Sequence, residues 1–99
     1  LALSEDLWER RIAVLATLTF IRQRQFTDTL QLVTGLLQDP HDLIHKACGW
    51  MLREIGKRDL AALRSFLTRH AAQMPRTMLR YAIEKLSAEE RKAWMQRRR

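Results

Sequence analysis

The sequence predicts an all-α fold, and three observations support this prediction. The 99 residues include only three glycines and two prolines, which is too few for a β protein with many turns. Apolar residues recur at the three- and four-residue spacing of amphipathic helices, and no alternating strand pattern competes with it. A chain of this length has room for one hydrophobic core, so we expect a single domain over residues 1–99.

Capping residues and helix breakers divide the first half of the chain into three predicted helices. Ser4 is the predicted N-cap of the first helix, which runs to about residue 22. The second covers about residues 27–37. Asp39 and Pro40 open the third, which ends at Gly56 as a C′ glycine.

The second half predicts three more helices, about six in all. Asp59 caps the fourth, which extends to about residue 70, and Pro75 opens the fifth, which extends to about residue 86. Ser87 and Glu90 have the spacing of a capping box and start the sixth.

Apolar spacing also predicts the buried side of the first two helices. In the first helix the predicted buried side includes an arginine, and its members are Leu7, Trp8, Arg11, Ile12, Leu15 and Leu18. In the second helix the predicted buried residues are Leu30, Val33 and either Leu36 or Leu37.

The helices recur with a period. An offset of 36 positions places Leu7 opposite Leu43 and Ala13 opposite Gly49, and a further offset of 33 places Ala82 opposite Gly49. Three helical hairpins of this length are typical of HEAT-like repeats, which stack into a superhelix with a concave surface. A plain helical bundle is the alternative.

Positive charge is concentrated at the carboxyl end. The formal net charge is +7, and residues 76–99 contain eight basic and three acidic side chains. Such a surface attracts polyanions, above all nucleic acid, because neutralised phosphates release their counterions. The alternative is a solvated surface without a ligand.

Several other chemistries are disfavoured. Cys48 has no second cysteine to pair with and is expected to fill space in the core. His41 and His45 have a helical i, i+4 spacing but no nearby third ligand, so we expect no metal and no cofactor. The longest uncharged stretch, residues 12–21, is too short to span a bilayer, and we expect a cytoplasmic protein without a membrane partner.

One helical face combines positive charge with an aromatic ring. Lys46, Trp50, Arg53 and Lys57 lie at i, i+4, i+7 and i+11 of the third predicted helix. Gly49, inside this helix, predicts close packing against a neighbour, because glycine there costs about 1 kcal/mol relative to alanine. The alternative is that Trp50 is a buried core residue.

Arg10 and Arg11 point about 100° apart on the first helix, so at most one of them shares the side of Leu7 and Leu15. An arginine at the edge of an apolar face can donate two hydrogen bonds to a phosphate. The alternative is an ion pair with Glu9 or Glu54.

Three segments together resemble a known family. They are WERRIAVL from Trp8, KACGWMLRE from Lys46 and MPRTMLRYAIEK from Met74. Across about residues 7–86 the chain resembles the C-terminal part of the DNA alkylation repair family, the HEAT-like (AlkD-like) alkylpurine DNA glycosylases.

The resemblance implies a base-excision enzyme that hydrolyses the N-glycosidic bond of N3- or N7-alkylated purines in duplex DNA. Arg11 matches the family's phosphate-binding arginine, and Trp50 matches the second of two tryptophans that contact the sugar backbone. The catalytic aspartate and the first tryptophan belong to a helix upstream of Trp8. We therefore assign neither Asp6 nor Glu9 as catalytic, and we expect this chain to be an inactive C-terminal fragment.

The duplex is expected to cross a face built from the first, third and fifth predicted helices, and no obligate protein partner is inferred. The expected DNA-binding residues are Lys46, Arg53, Lys57, Arg76 and Arg80. The alternative function is a non-catalytic scaffold that binds DNA or a protein.

Overall fold

The computed structural model of the protein describes residues 5–96, which are helical and contain no β-strand. The helices are α1 (Leu7–Ala16), α2 (Leu18–Arg22), α3 (Thr27–Gly35), α4 (Asp42–Arg58), α5 (Leu60–His70), α6 (Arg76–Ala82) and α7 (Ala88–Gln96). A 3-10 turn, Ala71–Gln73, follows α5. The prediction of an all-α fold is confirmed.

The first predicted helix is two helices in the structure. Asp6 is the N-cap of α1, where its carboxylate accepts hydrogen bonds from the backbone N–H groups of Trp8 and Glu9. The predicted cap, Ser4, lies outside the described residues. At Thr17 the chain leaves α1 and enters α2, and the buried Thr17 hydroxyl donates to the Val14 carbonyl oxygen at 2.7 Å. A threonine bonded to its own helix backbone in this way weakens the regular pattern.

The prediction of which face of α1 is buried is wrong. Trp8 and Ile12 are each 57% exposed, and Leu7, Arg11, Leu15 and Leu18 are only partly buried. The side that faces the core contains Arg10, Val14, Thr17 and Ile21. Arg10 can occupy it because its Nε donates to Asp39 Oδ2 at 2.8 Å, and buried charges are tolerated when they are paired.

The starts of α5, α6 and α7 follow the predicted signals, but three other predicted boundaries are wrong. Helix α4 begins at Asp42 with His41 as its N-cap and is not opened by Asp39 and Pro40, and α6 ends at Ala82, before the predicted residue 86. Asp59 caps α5 by accepting from the N–H of Ala62, Pro75 precedes α6, and the Ser87 hydroxyl accepts from the N–H of Glu90. Gly56 does not end its helix, because α4 continues to Arg58. A Cβ at Gly56 would lie 2.5 Å from Leu63 Cδ2, so this glycine allows α5 to pack against α4.

The helices form two layers. Helix α4 packs against α1 on one side and α6 on the other, and these three form the first layer. Helices α3 and α5 line a shared groove, and α5 is joined to α7 by an ion pair, so α3, α5 and α7 form the second layer. The shortest extent of the molecule, 18 Å, fits two layers of helices packed 8–10 Å apart. This arrangement of stacked hairpins agrees with the predicted HEAT-like fold.

The core lies between the two layers and is centred on α4. Cys48 is fully buried there, as predicted, together with Ile44, Met51, Leu52 and Ile55 from the same helix. Val33, Leu36 and Leu37 are also buried, while Leu30 is half-buried. Within residues 5–96, no helix combines the length and apolar character needed to cross a membrane.

Candidate nucleic-acid interface

A groove of about 250 Å³ crosses the first layer where α1, α4 and α6 meet. It is lined by Arg11, Lys46, Ala47, Trp50, Arg53 and Tyr81. Four of the predicted site residues, Arg11, Lys46, Trp50 and Arg53, therefore lie around one groove. Three cationic side chains and two aromatic rings give the groove the chemistry of a site for an anion with a flat or apolar part.

Arg11 is the cation of this groove without a carboxylate partner among residues 5–96. The alternative interpretation paired it with Glu9 or Glu54, but Glu54 binds Lys57 and Arg58 instead. The Arg11 guanidinium lies 5.6 Å from the centre of the Trp8 ring, within the range of a cation–π interaction. Its Nε is buried and has no hydrogen-bond partner in the described part of the chain. A buried donor without a partner is destabilising, so this N–H is available to a ligand oxygen or a water molecule.

Trp50 lies on the surface of α4 and is 36% exposed. The alternative in which this residue is a buried core anchor is therefore wrong. The residues immediately before and after it, Gly49 and Met51, are both buried, so Trp50 alone of the three reaches the surface. The indole ring thus forms part of the groove wall and presents an aromatic surface to solvent.

The close packing predicted at Gly49 is present. A Cβ at this position would lie 2.5 Å from Tyr81 Cβ and 2.6 Å from the Met78 carbonyl oxygen. Without a side chain at Gly49, α6 approaches the α4 backbone directly. This close contact brings Tyr81 to the groove beside Trp50.

The other two cations of the groove have carboxylate partners. Lys46 Nζ lies 3.3 Å from Asp42 Oδ2, and both side chains are largely exposed. Hydrogen bonds from Lys46 and then Thr77 hold the pKa of Asp42 below its usual value. Arg53 is less accessible, and its Nη1 donates to Glu84 Oε1 at 2.8 Å. Its Nε is buried and, like that of Arg11, has no partner within residues 5–96.

The other predicted DNA-binding residues lie outside this groove. Lys57 pairs with Glu54 at 3.0 Å and lines a different groove, which is formed by α4, α5 and α6. Arg76 is exposed in the first turn of α6. Arg80 is also exposed and lines a groove between α6 and α7.

The structure gives no support for metal or thiol chemistry in the described residues. No group of three potential metal ligands occurs within residues 5–96. A ring nitrogen of His45, Nε2, is hydrogen-bonded to the Asp39 carbonyl oxygen. Burial, with a smaller contribution from the Asp39 charge, raises the pKa of the Cys48 thiol to about 12. A thiol with this pKa is not a nucleophile at neutral pH.

A comparison with family models adds the decisive observation, because the model described as DNA alkylation repair enzyme matches residues 1–86. The chain belongs to the DNA alkylation repair enzyme family. Membership in this DNA alkylation repair family gives the chain a role in DNA repair, with DNA as the general substrate. Comparisons with curated proteins and with solved structures gave no significant match. The matched range contains the whole groove and ends before α7.

Sequence reasoning missed two aromatic residues of this DNA alkylation repair protein. Tyr81 lines the groove. Trp8 is not part of the lining, but its ring contacts the guanidinium of Arg11, which is. The repeat period predicted that α6 pairs with α4, but the side chain that reaches the groove depends on the rotation of α6 about its own axis. The exposure of Trp8 follows from the orientation of α1, which the apolar pattern alone predicted wrongly.

Proposed function

We propose that this chain binds duplex DNA across the groove between α1, α4 and α6, as the C-terminal part of an alkylpurine DNA glycosylase. The full-length enzyme would excise N3- or N7-alkylated purines by hydrolysing the N-glycosidic bond. The observation that carries the proposal is the groove itself, where Arg11 has no carboxylate partner within residues 5–96 and lies with Trp50 in one lining.

Each groove residue has a specific task in this proposal. Arg11 donates hydrogen bonds to a backbone phosphate, and its guanidinium geometry suits two phosphate oxygens at once. Lys46 supplies a second positive charge. Its pair with Asp42 is exposed, and exposed ion pairs contribute only about 0–1 kcal/mol, so a phosphate can replace the carboxylate readily. The Trp50 ring packs against the sugar next to the lesion.

The chemistry of the substrate explains why positioning residues matter. An alkylated purine that carries positive charge is already a good leaving group, because it takes the electrons of the glycosidic bond and departs neutral. The enzyme must chiefly stabilise positive charge on the sugar and hold the backbone in place. A general acid is not needed for this leaving group.

The groove lacks one component of that chemistry. No carboxylate is among its lining residues, and the nearby Asp42 and Glu84 are engaged with Lys46 and Arg53. We therefore propose that the stabilising aspartate lies in the full-length protein, outside residues 5–96. This chain alone should bind DNA without excising a base.

The DNA-binding part is tested with this chain and labelled duplexes, one undamaged and one containing an N7-methylated purine. We expect weak binding to both, with little preference for the lesion. The logarithm of the binding constant should fall linearly with the logarithm of salt concentration, with a slope of about −0.9 per phosphate contacted. Binding to an acidic protein and not to DNA at low salt would contradict the proposal and support the scaffold alternative.

The catalytic part is tested in the full-length protein by single-turnover release of the methylated purine. Arg11→Ala should reduce excision, whereas Arg69→Ala, which removes an exposed arginine that lines a groove in the second layer, should not. Tight DNA binding without any base release by the unmodified protein would exclude the glycosylase assignment and leave a non-catalytic DNA-binding module.

A further inference from the structure

A second, larger groove lies between α6 and α7, and part of it lies outside the residues that match the family model. Its volume is about 620 Å³, and it is lined by Arg80, Tyr81, Ile83, Glu84, Ala88, Arg91, Lys92 and Met95. Residues from Ala88 onward follow the matched range, which ends at residue 86. Family membership therefore assigns no role to the α7 side of this groove.

The groove has a surplus of available positive charge. Arg80 and Lys92 are exposed, and neither has a carboxylate partner within residues 5–96. Arg91 donates from Nη1 to the Leu86 carbonyl oxygen at 2.7 Å, which fixes its guanidinium at the start of α7 without neutralising its charge. The one acidic residue of the lining, Glu84, already accepts from Arg53.

Helix α7 is held firmly enough to act as a groove wall. Arg64 of α5 donates from both Nε and Nη2 to the carboxylate of Glu90, at 3.0 and 2.9 Å. Trp94, which is 7% exposed, donates from Nε1 to the same carboxylate at 3.1 Å. These contacts attach α7 to the second layer by one side. The opposite side, with Arg91 and Lys92, faces the groove.

The second groove adjoins the first. Tyr81 lines both of them, and the ion pair between Arg53 and Glu84 joins a residue of the first groove to a residue of the second. A polyanion that occupies the first groove and follows this surface reaches Arg80, Arg91 and Lys92 next. Regularly spaced negative charges on one ligand match such an arrangement better than a single small anion does.

We propose that the α6–α7 groove binds the phosphodiester backbone of the same DNA duplex, as a second contact site supplied by α7. This inference rests on the proposed function, since it extends the DNA surface of the first groove. The contacts are to phosphates, so the site adds affinity without sequence or lesion preference.

The test measures the salt dependence of binding of this chain to an undamaged, mixed-sequence duplex. The variant replaces both α7 cations, Arg91→Gln with Lys92→Gln, and the matched control removes two exposed arginines that line neither groove, Arg24→Gln with Arg69→Gln. We expect the α7 variant to bind more weakly, with a log–log slope less negative by about 0.9 for each phosphate that it no longer binds. The control should keep the parent slope.

Folding is controlled separately, because Arg91→Gln also removes the bond to the Leu86 carbonyl. Lys92→Glu leaves that bond in place and should also weaken DNA binding, with an unchanged melting temperature. Equal slopes for the parent and both α7 variants, together with weakened binding by Arg11→Ala, would overturn this inference and leave the proposed function intact. Absence of DNA binding by the parent chain would overturn both.

Discussion

Two adjacent arginines of identical chemistry occupy opposite environments. Arg10 is 8% exposed and pairs with Asp39, whereas Arg11 lies in the groove with no carboxylate partner among the described residues. The cause is the rotation of about 100° between neighbouring helical residues. Because Arg10 occupies the core-facing side of α1, Arg11 is turned toward α4 and Trp50.

Substitution of the two arginines should therefore have different effects. Arg10→Ala leaves the Asp39 carboxylate buried without its partner and should reduce stability by about 3–5 kcal/mol. Arg11→Ala should leave the melting temperature close to that of the parent and weaken DNA binding by about 1.5–3 kcal/mol, the range for a hydrogen bond to a charged group. Thermal unfolding and fluorescence anisotropy of the same preparations measure both quantities. A larger loss of stability for Arg11→Ala than for Arg10→Ala would contradict this assignment.

Trp50 gives a second prediction at this scale. Trp50→Ala should weaken DNA binding and lower stability by less than the roughly 3–5 kcal/mol of a fully buried tryptophan, because the residue is 36% exposed. Trp94, which is 7% exposed, provides the comparison, and Trp94→Ala should lower the melting temperature more. If Trp50→Ala lowered it as much as Trp94→Ala, the surface position of Trp50 would be disproved.

Helix α4 owes its contact with α6 to one glycine. The Met78 carbonyl oxygen, which a Cβ at Gly49 would approach to 2.6 Å, belongs to the backbone and cannot rotate away. Any side chain at this position must move α6 as a whole. Since Tyr81 is carried by α6, the width of the DNA-binding groove depends on the same contact.

Gly49→Ala should lower stability by about 1–3 kcal/mol, although alanine has the better helix propensity by about 1 kcal/mol. Gly35→Ala is the matched control, because a Cβ at Gly35 meets nothing within 4 Å and no glycine has a positive φ in the described chain. That control should be neutral or stabilising by up to about 1 kcal/mol. Urea unfolding of both variants measures the difference. Equal effects would show that α6 can shift freely on α4.

The attachment of helix α7 should make the stability of the fold depend on pH in the acid range. Hydrogen bonds from Arg64 and then Trp94 hold the pKa of Glu90 below its ordinary value of 4.5. A carboxyl group with a depressed pKa in the folded state stabilises the fold above its unfolded pKa, and this contribution disappears as the pH falls through the folded pKa. We expect the melting temperature of the parent to fall below about pH 4.5 more steeply than that of Glu90→Gln, in which this titration is absent. Parallel pH profiles would show that the Arg64–Glu90 pair contributes nothing to stability.

At the scale of the whole molecule, the sequence predicted the helices and their stacking but not every orientation. Helix caps at Asp59 and Ser87 depend on neighbouring residues and were predicted correctly. The buried side of α1 was not, because Arg10 becomes a core-facing residue only through Asp39, 29 positions away. Gly56 was assigned to a helix end because a C′ glycine and a glycine at a helix contact look alike in sequence.

The candidate site, like the fold, was predictable from the sequence in part. Lys46, Trp50 and Arg53 share one helix, so their common face followed from spacing alone, and Arg11 was named from the family resemblance. Lys57 shares that spacing as well, but its position in α4 places it in a different groove. Tyr81 required knowledge of how α6 sits against Gly49, which depends on tertiary packing.

The central position of α4 has a consequence for how the molecule opens. It packs against α1, α2, α3, α5 and α6, so its backbone amides cannot reach water unless most of these helices separate from it together. Their hydrogen–deuterium exchange should therefore report the free energy of global unfolding, whereas α7, which contacts α6 and is bonded to α5 through Glu90, should exchange at a lower free energy through local detachment. DNA would then protect α7 amides more than α4 amides, because α4 is already protected by the fold.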